Sequence, residues 1–92
     1  MTAEQKAAIL AMLKIDLGIS AAVYDERFEQ LIDVAADMIQ HEGCNLDYDS
    51  ARDQQLIVMY AGWQWRRRDS MEGMPRMLRY ALNNRIFGEH MR

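Results

Sequence analysis

The sequence predicts an all-α protein that forms a single small domain of about four helices, spanning residues 1–92. Apolar residues recur at helical spacing in four segments, and no run alternates apolar and polar residues for long enough to indicate a strand. The chain has 92 residues and a single proline, Pro75. Because a second hydrophobic core would leave each half of the chain too short to bury enough surface, we expect one core.

The first helix is bounded by local signals at both ends. Thr2, with Gln5 three residues later, forms a capping-box pattern that favours a helix start. Gly18 offers a stop, because glycine readily adopts the left-handed conformation that follows many helices. Helix one is therefore predicted between Thr2 and Gly18.

The second helix has the clearest amphipathic pattern in the chain. It is predicted from about Asp25, a good N-cap, to Glu42, and Gly43 ends it. At about 100° per residue, one face is expected to carry the apolar residues Phe28, Leu31, Ile32, Ala35, Met38 and Ile39. The other face carries the acidic residues Glu26, Glu29, Asp33 and Asp37.

The third helix is apolar on two sides. After a polar loop over residues 43–50, it is predicted from a cap at Asp49 or Ser50 to about Arg68. A helix of this kind either is central in its domain or shares one face with a neighbouring subunit. We predict that Trp63 lies in the core and that Trp65 lies at a subunit contact. The first face carries Leu56, Met59, Tyr60 and Trp63, and the second carries Val58, Ala61 and Trp65.

The fourth helix is predicted from Pro75, which suits a first helical turn, to Phe87 and Gly88. The methionines at 71, 74 and 77 recur every third residue ahead of it and within it. Core filling is the usual explanation for such methionines, and Met74 is the residue we assign to the alternative, an adaptable docking surface.

The net charge of −3 conceals an uneven distribution. Residues 1–50 carry ten acids and three bases, whereas residues 51–92 carry four acids and eight arginines. Arginine is favoured in interfaces and on phosphates because its planar guanidinium makes several hydrogen bonds and is weakly hydrated. The alternative is a solvated surface on which the charges happen to be uneven.

Three acids of helix two stand at four-residue steps and repel one another. They are Glu29, Asp33 and Asp37. A neighbouring subunit that presents basic side chains would turn this repulsion into attraction and would orient the contact between the two. The candidate bases are Arg66, Arg76 and Arg79. The alternative is a stripe that faces water and keeps the subunit soluble.

The consecutive arginines Arg66, Arg67 and Arg68 resemble a nucleic-acid patch at first sight. Because successive helical residues point about 100° apart, the three cannot all contact one row of phosphates. Capping of the helix C-terminus with packing of the stems over apolar surface is one interpretation. A protein interface and direct DNA contact are the others.

The sequence gives no support for a cofactor, a metal ion or an enzymatic reaction. The constellation His41, Cys44, Asp47 and Asp49 matches no recognised metal-ligand spacing. No glycine-rich phosphate loop, nucleophile elbow or zinc-protease motif is present. Cys44 is the only cysteine, which excludes an intramolecular disulfide and fits a reducing compartment.

Targeting signals are likewise not apparent. No continuous apolar stretch reaches the length of a membrane span, and the N-terminus lacks the basic and then apolar pattern of a signal peptide. We expect a protein that is made and kept in the cytoplasm, without a membrane partner.

Two neighbouring segments carry a resemblance to a known family: LIVMYAGWQWRRRD over residues 56–69 and GMPRMLRYALNNRIF over residues 73–87. They resemble the head-tail connector family of tailed double-stranded DNA phages and prophages, whose members are also called adaptor or head-completion proteins. The segments LKIDLGI at 13–19 and YDER at 24–27 look similar to the same family. The resemblance covers nearly the whole chain, and its most specific part is the C-terminal block.

The resemblance implies a small, non-enzymatic helical subunit that joins other copies in a ring beneath the portal vertex. The implied partners are the portal protein, a stopper or tail-completion protein, and packaged DNA that passes through the ring without sequence-specific contact. The implied location is the head-tail junction of the virion, reached from the host cytoplasm during assembly. The family's C-terminal segment commonly contacts the portal, but here only Gly88 to Arg92 are expected to follow the last helix.

A small DNA-binding regulator, with helix three as the recognition helix, is the alternative from another class. Recognition helices expose polar side chains to base edges. Helix three offers mainly Ile57, Val58, Trp63 and Trp65, and the chain is acidic overall, which argues against this function.

Overall fold

Four α-helices make up most of the chain in the computed structural model, which describes residues 1–69 and 73–90. They are α1 (Ala3–Leu17), α2 (Asp25–His41), α3 (Ala51–Arg66) and α4 (Arg76–His90). Short 3₁₀ turns cover Ala22–Tyr24 and Arg67–Asp69. No strand occurs in the two described ranges. The predicted fold class, an all-α domain of four helices, is confirmed.

Local capping signals place several helix ends where the sequence predicts them. The Thr2 hydroxyl accepts a hydrogen bond from the Gln5 N–H at 3.1 Å, and the Thr2 N–H donates to the Gln5 side chain at 2.8 Å. Gly18 follows α1 with φ at 70°, the left-handed conformation that favours glycine. Ser50 caps α3, where its hydroxyl accepts from the Asp53 N–H at 3.3 Å.

Three helix ends differ in detail from the predicted ones. Asp25 is the first residue of α2 and not its N-cap, because the 3₁₀ turn before it leads directly into the helix. The α-helical part of α3 ends at Arg66 and continues as a 3₁₀ turn. Helix α4 passes through Gly88 to His90, and the Arg85 guanidinium stabilises this last turn by donating to Glu89 at 2.7 Å.

Helix α3 lies at the centre of the domain and is buried on both faces. Its side chains pack against α1, α2 and α4. This central position accounts for both apolar faces of helix three within one subunit, so neither face requires a neighbour. The core comprises Ile9, Leu13, Phe28, Leu31, Ile32, Ala35, Ala36, Ile39, Cys44, Leu56, Ile57, Val58, Tyr60, Ala61, Trp63, Leu78 and Leu82.

One residue of the predicted apolar face of α2 does not belong to the core. Met38 is 44% exposed, whereas Leu31, Ile32 and Ile39 are buried. Met38 lies at the margin of the buried arc, one turn after Val34, which is also exposed. Met38 therefore flanks the apolar face of α2 without entering the core.

Helix α4 is attached to the domain by a narrower contact than the other helices. Leu78 and Leu82 are its only fully buried residues within the part that the structure describes. The chain entering α4 is tied to the core by Trp63, whose indole N–H donates to the Gly73 carbonyl at 3.2 Å. Most of the circumference of α4 therefore remains in contact with solvent.

Candidate interaction surfaces

The outward side of α4 exposes three large apolar side chains. Met77, Tyr80 and Phe87 are 72%, 56% and 67% exposed, respectively. At about 100° per residue, these positions fall within roughly 80° of one another, while Leu78 and Leu82 point to the opposite side and pack on the core. We call Met77, Tyr80 and Phe87 the α4 face. Exposed apolar residues that cluster in this way commonly mark a binding surface.

The predicted interface residues around α4 have different environments. Met74 is partly buried against the core, which agrees with core filling and not with a freely exposed docking residue. Arg79 donates to Glu42 at 2.7 Å. Arg76 is exposed and has no side-chain partner among residues 1–68 and 73–90. Met71 falls outside the described residues.

The acidic residues of α2 are only partly left to solvent. The Lys6 ammonium, from α1, donates to Asp33 at 2.6 Å. Glu29 is half-buried, and Asp37 remains 69% exposed, 3.7 Å from the exposed ring of His41. The stripe is therefore partly neutralised within the subunit, by a lysine 27 positions away in sequence.

The three consecutive arginines are used within the subunit. Arg66 lies 3.4 Å from the Asp16 carboxylate. The Arg67 guanidinium stacks over Trp63 at 4.6 Å from the ring centroid, and Arg68 stacks over a second tryptophan at 3.7 Å. Arg68 also donates to the Trp65 carbonyl at 2.6 Å, near the C-terminus of α3. Capping and cation-π packing therefore account for this cluster.

The two tryptophans of α3 both pack inside their own subunit. Trp63 is 8% exposed, so its predicted core position is confirmed. Trp65 is partly buried, and its ring meets Phe28 at 4.8 Å and Tyr24 at 5.4 Å between centroids, both in edge-to-face geometry. These contacts and the stacked Arg68 bury part of the Trp65 ring within its own subunit.

A buried ionic cluster between α3 and α4 was missed by the sequence analysis. The Arg85 guanidinium donates to Asp53 at 2.8 Å, to Glu89 at 2.7 Å and to the Asn45 carbonyl at 2.6 Å. Asp53 is only 3% exposed and also accepts from the Asp47 N–H at 2.8 Å. Arg85 thereby ties α4 to the loop before α3. In the sequence, Asp53 is simply an acid in the first turn of α3, where acids are common because they interact favourably with the helix dipole.

The Asp53–Arg85 contact shifts the acidity of both groups. Burial alone would raise the pKa of Asp53, but the hydrogen bonds from Arg85 and the Asp47 N–H, with the positive charge of Arg85, hold this pKa below its ordinary value. The hydrogen bonds that Arg85 donates to Asp53 and Glu89 raise the pKa of Arg85 itself. Burial raises the pKa of the nearby Cys44 thiol. The pair is therefore fully ionised at neutral pH.

Acid should loosen the attachment of α4. Because the pKa of Asp53 is lower in the folded than in the unfolded chain, its stabilising contribution is complete above about pH 4, the unfolded value, and is lost as pH falls through the folded value. We expect the melting temperature, followed by circular dichroism, to fall below about pH 4. Asp53→Asn should have a lower melting temperature than the wild type at neutral pH. Its melting temperature should also fall by less on acidification. Asp37→Asn, at an exposed position, is the control and should follow the wild type.

The geometry shows no metal centre in the described part of the chain. Among residues 1–69 and 73–90, no three histidine, cysteine, aspartate or glutamate side chains lie close enough together to hold a metal ion. In the constellation considered above, Cys44 is buried while His41 is exposed. An open groove between α3 and α4 is lined by Arg52, Gln55 and Asn84 among others.

None of the described helices is both long and apolar enough to cross a membrane. Comparisons with protein-family models, with curated proteins and with solved structures gave no match. The functional assignment therefore depends on the residues of this chain, on its exposed surfaces and on the resemblance described above.

Proposed function

We propose that this protein is a head-tail connector of a tailed phage or prophage, a non-enzymatic subunit that forms a ring on the portal vertex. The ring would extend the DNA channel and receive a stopper or tail-completion protein below. The observation that carries the proposal is the α4 face, which is exposed and apolar and lies within the segment that most resembles the connector family.

Three large apolar side chains along α4 remain in contact with water in the isolated subunit. Contact with another protein would remove them from water, at roughly 25 cal/mol for each Å² of apolar surface that becomes buried. The uneven charge of the two halves is the second support, because ring subunits join through two different and complementary patches. Together these features favour a subunit of an assembly.

No observation favours the alternative DNA-binding regulator. Its recognition helix would be α3, but α3 is central, and Ile57, Val58 and Ala61 are almost completely buried. A buried helix cannot enter a DNA groove. The arginines at its C-terminus stack on tryptophans or contact an acid in the same subunit.

The proposal predicts that disruption of the α4 face blocks assembly without unfolding the subunit. Phe87→Glu places a charge on an exposed position of the α4 face, so helical content should be unchanged while assembly of the ring, and with it stable association with the portal, is lost. Sedimentation of the chain with the portal protein encoded by the same genome measures this association. The wild-type chain should sediment with the portal.

The matched control is Ile15→Glu, at an apolar position on α1 that is 82% exposed and lies outside the α4 face. Ile15→Glu should bind the portal as the wild type does. A wild-type chain that stays in the supernatant at every concentration would refute the connector function. Equal binding of Phe87→Glu and the wild type to the portal would show that assembly does not need the α4 face.

A further inference from the structure

Two exposed patches of this subunit have complementary character. The first is the α4 face together with Arg76, which has no side-chain partner in the described residues. The second lies on α2, where Val34 and Met38 are 47% and 44% exposed and lie one turn apart. Asp37 is close to both on the helix surface. We call Val34, Asp37 and Met38 the α2 edge.

We propose that the α4 face of one copy docks on the α2 edge of the next copy, with Arg76 directed toward Asp37. The proposal rests on the proposed function in one respect: it takes a second copy of this chain as the occupant. Beyond the proposed function, it specifies which two surfaces of the chain are in contact. The contact would pair apolar residues with apolar residues and an arginine with a carboxylate.

The charges of the two helices favour this occupant. Helix α2 carries five acids and one arginine, whereas α4 carries three arginines and one acid. Opposite signs attract when α4 meets α2, and like signs repel when α4 meets a second α4. The observed charges therefore favour a contact between two different surfaces over a symmetric contact between two α4 helices.

Contacts within the subunit reduce the number of charges available to a neighbour. Arg79 is engaged by Glu42, and Asp33 is engaged by Lys6. On the two patches, this leaves Arg76 without a described partner and Asp37 with only a 3.7 Å contact to an exposed histidine. On the two patches, Arg76 and Asp37 are therefore the charges that an oppositely charged group of a neighbouring copy would stabilise most.

A contact between two different patches also has the symmetry that a ring requires. Each copy uses its α4 face on one neighbour and its α2 edge on the other, so the contact repeats until the rotation closes. A symmetric α4-to-α4 contact would instead end at a dimer. The two arrangements can be distinguished by which pairs of positions come together.

Cross-linking of variants that each carry one added cysteine tests the contact directly. Met38→Cys and Tyr80→Cys each place a thiol on an exposed position of one patch, while the native Cys44 is only 4% exposed. The two variants, one enlarged by a tag, are mixed at high concentration and treated with a short bis-maleimide. This reagent tolerates distances that the strict geometry of a disulfide does not. We expect the mixed dimer to exceed each homodimer several-fold.

The control replaces Met38→Cys with Ile15→Cys, an exposed apolar position on α1. Its mixed dimer with Tyr80→Cys should not rise above the background of random collisions. Adding Asp37→Lys to the Met38→Cys chain should reduce the mixed dimer several-fold, and adding Arg76→Glu to its partner should partly restore it. Homodimers of Tyr80→Cys in excess over mixed dimers would overturn the proposal in favour of an α4-to-α4 pair.

The cross-linking experiment and the portal-binding experiment test two different claims. If the portal recruits the wild-type chain but no mixed dimer exceeds the control, the proposed contact is refuted and the connector function stands. If mixed dimers form but the portal recruits nothing, the contact between copies stands and the connector function fails.

Discussion

Arg85→Met should reduce the free energy of unfolding by about 3–5 kcal/mol, the usual loss when one partner of a buried ion pair is removed. The side chains of Arg85 and Asp53 are only 16% and 4% exposed, so the pair is largely shielded from solvent. The variant leaves the Asp53 carboxylate buried without a cation. It also frees the C-terminal half of α4 from the loop before α3. Urea denaturation at neutral pH measures the loss.

A second variant separates the buried charge from the loss of packing. In Asp53→Asn with Arg85→Met, the asparagine can still accept the Asp47 N–H, and no charge remains buried at this position. This double variant should recover part of the stability, because replacing both members of a buried pair costs less than removing one. Arg66→Met, in an exposed pair, is the control and should be nearly neutral. A loss below about 1 kcal/mol in Arg85→Met, typical of exposed pairs, would contradict the account.

Trp63→Ala should cost about 3–5 kcal/mol, the range for truncating a core tryptophan. The ring is 8% exposed, packs edge-to-face on Tyr60 at 5.4 Å and donates to the Gly73 carbonyl. Its removal would therefore open a cavity beside α4 and release the chain that enters α4. Thermal or urea unfolding measures the effect.

Trp65→Ala is the matched comparison on the same helix. Because Trp65 is only partly buried, its loss should cost on the order of 2 kcal/mol through the contacts with Phe28 and Tyr24. Assembly of the folded variant should be unchanged, contrary to the prediction made from sequence. Loss of assembly without loss of stability in Trp65→Ala would restore the subunit-contact role.

The sequence predicts the helices well where the signals are local. The capping box at Thr2, the left-handed Gly18 and the cap at Ser50 involve residues a few positions apart, so each can be recognised without knowing the fold. Gly88 was predicted to lie at the end of α4, but a glycine inside a helix reduces helix stability by only about 1 kcal/mol relative to alanine. The neighbouring Arg85–Glu89 pair helps to offset that cost, and α4 continues.

The surfaces are less predictable because their charges pair with residues distant in sequence. Lys6 reaches Asp33 across 27 positions, and Arg79 reaches Glu42 across 37. Helical periodicity places a residue on a face, but it does not show which element covers that face. Trp65, on the second apolar face of α3, is predicted at a subunit contact, and its ring also packs on Phe28 and Tyr24 of its own subunit.

Electron microscopy of the portal protein, with and without this chain, tests the central claim most directly. The account predicts that adding the wild-type chain produces a continuous annulus of extra density, coaxial with the portal channel, and that Phe87→Glu abolishes it. Portal particles without added density at saturating concentration, or with single copies bound off the axis, would contradict the assignment as a ring-forming connector.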